Sequence, residues 1–371
     1  MDFTPTEEQL AASALAAEVF GDLSTPERLA ALGTSADAGL WKALCAAGLL
    51  GAVAETGLLG LVLMLEEQGR TTAQVPFAAS CVYGLLAIGA HGSAEQRARL
   101  LPGLRDGTEV ATGAFAGGAR AGGPRVTATA AARLRGCVPV VPWLCGATLL
   151  LVPDVHRRLW LVRVAAPGVR VEPVATTAPW SAGRLTLDDA PAEPLGAVPG
   201  TRDGHDAADA CAGPYAGARA DAHEDVLATA RTAFAGLQAG VCAGALARAV
   251  AHTATREQFG RPLAANQGVQ LRAADAYMDT EAIRVTAYEA AWRRDAGLDA
   301  VPHALTAAWW ASEAGKRVVH TGQHLHGGIG ADLDHPAHRH FLWGRQLDAY
   351  LGAGAELLEE LGALLTKEPQ P

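Results

Sequence analysis

The sequence predicts an α+β chain in three parts. These are an N-terminal helical domain over 1–108, a middle β-domain over 109–217 of barrel or sandwich type, and a C-terminal four-helix bundle over 218–371. Three observations carry this reading. Apolar residues recur at helical spacing up to about Asp106. From Gly107 to about Gly217 glycine, proline, valine and threonine rise and that period disappears. From Asp221 helical spacing returns and persists nearly to the end.

In the first part, Thr4 is placed to cap a helix with Pro5 at its first position. Trp41 to Leu50 and Leu58 to Gly69 follow as helices. Ser93-Ala-Glu-Gln opens another by a capping pattern that should run to about Leu104. In the second part, strands are expected at Arg125–Thr129, Val138–Val141, Ala147–Val152, Leu159–Val164, Val169–Val174 and from Arg184, separated by turn signals such as Pro153-Asp154 and Pro167-Gly168. Thr201 to Gly217, rich in Asp, Gly and Ala, reads as a linker. In the third part, helices are expected over Asp221–Thr255, Gln267–Arg294, Pro302–Leu325 and Gly344–Leu365, joined by short connections as in an antiparallel bundle.

Composition removes several function classes. Half of the 371 residues are hydrophobic and only 5 % aromatic, which suits closely packed, alanine-rich helices. A net charge of −9 without any Lys/Arg run argues against nucleic-acid binding. The six cysteines are widely spaced and form no CxxC pair, consistent with a reduced, cytoplasmic protein and no zinc site. The acidic, amphipathic start is unlike a signal peptide, and no apolar run reads as long enough to span a membrane.

Two stretches stand out in the third part. Thr255-Arg-Glu-Gln-Phe-Gly-Arg-Pro-Leu-Ala-Ala-Asn-Gln267 lies between the first two bundle helices. Gln323-His-Leu-His-Gly-Gly-Ile-Gly330, followed by Asp334-His-Pro and Arg339-His-Phe, interrupts helical sequence with adjacent glycines. Glycine inside a helix costs about 1 kcal/mol against alanine, so its use there implies a sharp turn or a close backbone approach. His326, His335, His338 and His340 cluster in the sequence, but no carboxylate shell accompanies them and no metal site is expected.

The domain order and these two stretches resemble the acyl-CoA dehydrogenase family, over essentially the whole chain. The resemblance implies FAD as cofactor and an acyl thioester as substrate. It implies α,β-desaturation, in which a carboxylate removes the α-proton while the flavin accepts hydride. It further implies that Arg256 and Phe259 reach the pyrophosphate of FAD held mainly by a neighbouring subunit, with Gln267 beside them. Gly327 and Gly328 then form a backbone platform for that group. His324 stands where relatives usually carry Gln, and Gln323 lies one residue, about 100° of helix, away. An oligomer, homomeric or heteromeric, follows from the same roles.

The sequence departs from the family where the chemistry should be. The two known positions of the base fall on Ala230 and Leu351, neither of which accepts a proton. Asp348 is the carboxylate one turn from Leu351, and its spacing from Arg345 suits an ion pair. Glu356, Glu359 and Glu360 read as a solvated face. Ala111-Thr-Gly-Ala-Phe-Ala-Gly-Gly118, then Ala121-Gly-Gly-Pro124, carry no Gly-Ser-Asp like that with which relatives touch the flavin. Gly136 to Pro142 stands where relatives have a Gly-x-Lys turn followed by Trp and Thr, and Trp143 is out of register with the family's ring-packing tryptophan. The resemblance therefore leads to a dehydrogenase subunit that needs a partner for its base. A redox-independent enzyme on the same scaffold (elimination, hydration or cyclisation) and a non-catalytic partner subunit are the alternatives.

Overall fold

The protein is described by a computed structural model over residues 2–115, 125–196 and 221–366. The expected linker at 201–217, the boundary at 217/218, Cys211 and Ala121 to Pro124 lie outside these residues. Helix α1 (Glu7–Leu23) starts two residues later than expected. Thr6 caps it, because Gln9 stands three residues on and the two side chains exchange bonds with each other's backbone N–H. Short helices α2 (Pro26–Leu32) and α3 (Ala38–Ala46) lead into α4 (Leu49–Thr71), which takes in residues 51–57, between the two stretches expected as helices. A kink at Gly57, φ +71°, divides this helix in two. The amides freed by the kink at Leu58 and Leu59 donate to Asp295, at 2.8 and 2.9 Å. A carboxylate from the far end of the chain thus caps the second half of α4.

Helices α5 (Phe77–Ala79) and α6 (Ala87–His91) are joined by a π-helical stretch, Ser80–Leu86. Ser93 and Gln96 form the expected capping box at the start of α7 (Ala94–Asp106). The β-domain is a sandwich of two four-stranded sheets. One has the order β1 (Ala111–Gly113), β4 (Leu149–Pro153), β5 (Leu159–Arg163), β8 (Glu193–Pro194), with β1 and β4 parallel. The other is antiparallel, in the order β2 (Arg125–Ala128), β3 (Arg133–Val141), β7 (Gly183–Pro191), β6 (Val169–Pro173). Alternate residues such as Val126, Leu134, Val138, Leu150, Val162 and Leu185 fill the space between the sheets.

The third part holds α8 (Ala222–Thr255), α9 (Gln267–Asp295) and α10 (Val301–His326) as expected. The last expected helix is two helices, α11 (Ala337–Leu347) and α12 (Gly354–Leu365). They are separated at Gly352, whose φ of +123° no helix accommodates. The N-terminal α4 lies along α8 so closely that a Cβ at Gly240 would come within 2.0 Å of the Glu66 carbonyl oxygen. Against the sequence expectation, α4 and α8 are each long and apolar enough to cross a membrane. Some 78 % and 72 % of their apolar windows are covered by other parts of the chain, which makes them core helices of this fold.

Candidate functional site

The residues singled out by the sequence divide into an open group and a closed group. The open group begins where α8 ends. Glu257–Gln258 and Arg261–Pro262 pair as a two-stranded ribbon, β9 and β10, which the sequence reading missed. Phe259 and Gly260 form its tip with φ of +57° and +76°. A two-residue turn with both φ positive matches the twist of a ribbon, and Asn or Asp rather than Phe normally precedes the glycine. Phe259 nevertheless holds that conformation with 97 % of its surface exposed. Arg256 and Gln267 flank the ribbon and are exposed too.

On the neighbouring helix end, α10 closes at His326 and the chain turns through Gly327, φ +67°, and Gly328. A Cβ at either glycine would meet nothing within 4 Å. The glycines therefore leave an open patch of backbone, beside exposed His324 and Ile329. Histidines next to and within the two stretches meet there. His252, one turn before Arg256, stacks on His326 with ring centroids 4.8 Å apart, and His326 lies 5.4 Å from His335.

The closed group is buried. Ala230 is fully covered and Leu351 is 9 % exposed. The cavity beside Leu351 measures about 20 Å³ and is lined by Arg231, Phe234, Ala308, Tyr350 and Leu357 among others. That is room for about one water molecule. Asp348 pairs with Arg345 at 2.9 Å, as expected, and accepts a bond from Ser312 at 2.8 Å. Glu360 is half exposed, as expected of a solvated face, and has a partner the sequence did not show. It grips buried Arg231 through two bonds of 2.8 and 2.7 Å, while the Arg231 Nε donates to the Leu351 carbonyl at 3.4 Å.

Around this point the chain packs aromatic rings. Phe234 and Tyr350 meet edge to face at 4.7 Å, and Trp180 meets Tyr350 at 5.6 Å and Trp343 at 5.8 Å. Tyr83 shares a 3.0 Å hydroxyl–hydroxyl bond with Tyr350 and stacks on Phe115 at 5.2 Å. Burial raises both phenols well above the usual tyrosine range, so they stay neutral. Tyr83 comes from the π-helical stretch and lies across β1, where a Cβ at Gly113 would strike its ring at 2.5 Å. Trp143, φ +61°, is buried and donates its backbone N–H to the Trp180 carbonyl. Sequence reasoning passed over Tyr83 and Phe115. Tyr83 stands in an apolar run whose π-helical turn no local sequence signal announces.

A larger cavity, about 270 Å³, lies between α7 and the β-domain, lined by Leu100, Leu149, Leu161 and the stems of Arg99 and Arg163. Both guanidinium groups are already paired, with Glu193 and Glu109 respectively, each at 2.6 Å. Its lining shares no residue with either group.

Comparison with known proteins agrees with the architecture. Residues 6–108 match the family model described as acyl-CoA dehydrogenase, N-terminal domain, and residues 220–363 match the one described as acyl-CoA dehydrogenase, C-terminal domain. The acyl-CoA dehydrogenase FadE27 of Mycobacterium tuberculosis (strain ATCC 25618 / H37Rv) is 33 % identical over the full length of both chains. The chain belongs to the acyl-CoA dehydrogenase family. Among solved structures, the Tcur3481–Tcur3483 steroid ACAD, in a variant form, is 40 % identical over 97 % of this chain and 98 % of that one, with a TM-score of 0.86. The ChsE4–ChsE5 complex from Mycobacterium tuberculosis is 31 % identical over all of both chains, with a TM-score of 0.87. Homologues in the family are oxidoreductases that bind FAD.

An acyl-CoA dehydrogenase needs space for a flavin ring next to an acyl thioester, and a base between them. The stretches that the resemblance assigns to the flavin ring and the base are Ala111–Phe115, Gly136–Pro142 and Tyr350–Leu351, with Trp143 directly after the second. Here they converge on packed aromatic side chains, with only a water-sized gap beside Leu351. The residues present do not fit a flavin ring and acyl chain at that place. The open group fits better: exposed Arg256, uncovered Gly327 and Gly328 and adjacent imidazoles suit a phosphate carried by another molecule.

Proposed function

We propose that this chain is one subunit of a flavin-dependent acyl-CoA, or acyl-carrier-protein, dehydrogenase that desaturates an acyl thioester between its α- and β-carbons. In this reading a homologous subunit holds the flavin ring and contributes the base. This chain completes that subunit's FAD site from outside: Arg256 as a planar donor to the pyrophosphate, Phe259 packed beside it, Gln267 and His324 as flanking donors, and Gly327 and Gly328 as the platform. The single observation that carries the proposal is the asymmetry between the two groups of residues. What serves a neighbour's cofactor is on the surface, down to a phenylalanine held at a ribbon tip, while both base positions are apolar and closed.

The relationship to the ChsE4–ChsE5 complex supports a heteromer, and the identity to a steroid ACAD supports a bulky, ring-bearing acyl group on the assembly. The domain limits at 108/109 and 217/218 belong to the same proposal. A redox-independent reaction in this chain alone finds no room beside Leu351.

The test is co-expression with a homologous subunit from the same genome, followed by measurement of flavin absorbance per chain. The chain alone is expected to be colourless. The complex is expected to be yellow, with one FAD for each pair of unlike subunits and acyl-CoA-dependent bleaching. One FAD bound per chain in the isolated protein, or colourless complexes with every partner tried, overturns the proposal.

A further inference from the structure

The glycine turn is bordered by a feature that neither family resemblance nor the roles above explain. His252 from α8, His326 from the end of α10 and His335 from the loop after it form a ladder of three imidazoles, 4.8 and 5.4 Å apart. The geometry points to this ladder as a diphosphate-binding element that takes up protons when the anion arrives. This inference rests on the reading that Gly327 and Gly328 receive a cofactor pyrophosphate, and it assigns the recognition chemistry beside them.

The hydrogen bonds fix what each ring offers. His326 is buried, and its Nδ1 lies 2.7 Å from the Gly322 carbonyl, which makes Nδ1 the protonated nitrogen and leaves Nε2 free. His335 Nδ1 accepts the Ala337 N–H at 3.2 Å, so its Nε2–H is a free donor. His252 is half-buried and lies over His326 with the rings 26° from parallel. His252 and His326 are stacked and His335 is tilted 60° from His326, so the rings form a row rather than a metal cage, in which His335 donates through Nε2–H while the free Nε2 of His326 carries a lone pair.

The surroundings are cationic. Arg248 and Arg256 bear on the ladder from α8, and exposed His324 stands on α10. His338, Arg339 and His340 lie on the segment after His335. Arg339 is largely buried, and among the described residues its side-chain partners are the neutral Thr72 and Gln74, at 3.4 and 3.0 Å. Arg248 is half-buried without an acid partner among the described residues. His338 Nδ1 is held by the His335 carbonyl at 2.5 Å, and His340 Nε2 by the Arg70 carbonyl at 2.9 Å. The acid that acts on the ladder is Asp332, and among the described residues no carboxylate is hydrogen-bonded to any of its three rings.

Partial burial first, and the neighbouring positive groups second, hold His252 and His335 below the ordinary histidine range. His252 and His335 are therefore neutral at pH 7 when no anion is bound. A bound diphosphate replaces that repulsion by attraction, so the rings gain protons as it binds. Each proton taken up strengthens binding by up to about tenfold per pH unit.

Calorimetry on the full chain tests this, with inorganic pyrophosphate, ADP and riboflavin as probes, in two buffers of different ionisation enthalpy. Pyrophosphate and ADP are expected to bind with net proton uptake at pH 6–7, and riboflavin is expected not to bind. The double variant His252→Gln, His335→Gln keeps hydrogen-bonding side chains but cannot be charged. It should match the parent at pH 8 and lose about tenfold of the parent's gain on going to pH 6. Equal pH dependence in parent and double variant overturns the inference, as does exclusion of ADP or absence of pyrophosphate binding by the parent. Arg256→Ala separates the two readings. If it abolishes pyrophosphate binding while the histidine variants bind like the parent, the platform stands and the ladder is excluded. FAD content of the co-expressed complex reports on the platform independently.

Discussion

Arg231 and Glu360 meet in a two-pronged ion pair, with Nη1 2.8 Å from Oε1 and Nη2 2.7 Å from Oε2. The guanidinium is 8 % exposed and the carboxylate 50 %. The pair pins α12 over the buried Leu351 segment, to whose carbonyl the Arg231 Nε also donates. Removing the exposed partner leaves a buried cation unmatched. Glu360→Gln is expected to lower stability by about 1–2 kcal/mol, a value discounted for the solvent around Glu360. Arg231→Met should recover part of that loss in the Glu360→Gln background. A double-mutant cycle by chemical denaturation checks this, and purely additive effects would refute the coupling.

Restoring a carboxylate at the family's base position is expected not to restore chemistry. Leu351→Glu places an acid where the adjoining cavity is about 20 Å³. Burial should raise its pKa and destabilise the fold by a few kcal/mol, as for a poorly partnered buried charge. The isolated variant should show no acyl-CoA-dependent dye reduction. Turnover by Leu351→Glu alone would show that a flavin and a substrate enter this chain after all.

The closure of the aromatic cluster depends on a missing side chain. A Cβ at Gly113 would lie 2.5 Å from the Tyr83 ring, which is wedged between Phe115 and Tyr350 and cannot swing away freely. Gly113→Ala is expected to cost about 1–3 kcal/mol by overpacking. It should also perturb the near-ultraviolet circular dichroism of the stacked rings. A melting temperature equal to that of the parent would mean that the ring is not held as described.

Acid stability should depend on Asp225. Burial works against its charge, yet bonds from His91 at 2.7 Å and from Arg294 at 3.1–3.2 Å outweigh that effect and bring its carboxyl down to about 2. A carboxylate with a folded pKa below its unfolded value of about 3.9 stabilises fully above pH 4. It loses that contribution as pH falls through 2. The contribution is about 2 kcal/mol. Asp225→Asn should therefore flatten the stability curve between pH 4 and 2, measured by denaturant titration at each pH. An unchanged slope in that interval would rule out the linkage.

Much of this was legible from local chemistry. Ser93 to Gln96 named its own capping box, and Asp221 to Thr255 announced one long helix by period alone. At the start, Thr6 rather than Thr4 was the cap because Gln9 completes the box, a choice between two plausible threonines two residues apart. The last helix broke at Gly352 because the segment carrying Tyr350 and Leu351 turns inward, which periodicity cannot register. The open part of the site was legible for the same local reasons, since Arg256, Phe259 and the paired glycines stand in contiguous motifs.

By itself, then, the sequence determined the three-part order, the family resemblance and the absence of a proton acceptor at 230 and 351, because each is written in residue type and spacing. The tertiary structure alone decided that the place beside those positions is filled. Tyr83 from a π-helical turn, Phe115 from the end of β1, and Trp180 and Tyr350 from distant segments meet there across separations that no local pattern encodes. It alone also placed Glu360 on Arg231 and His252 on His326. Such pairings depend on how whole helices pack, and packing is settled by the sum of many weak contacts rather than by any one stretch of chain.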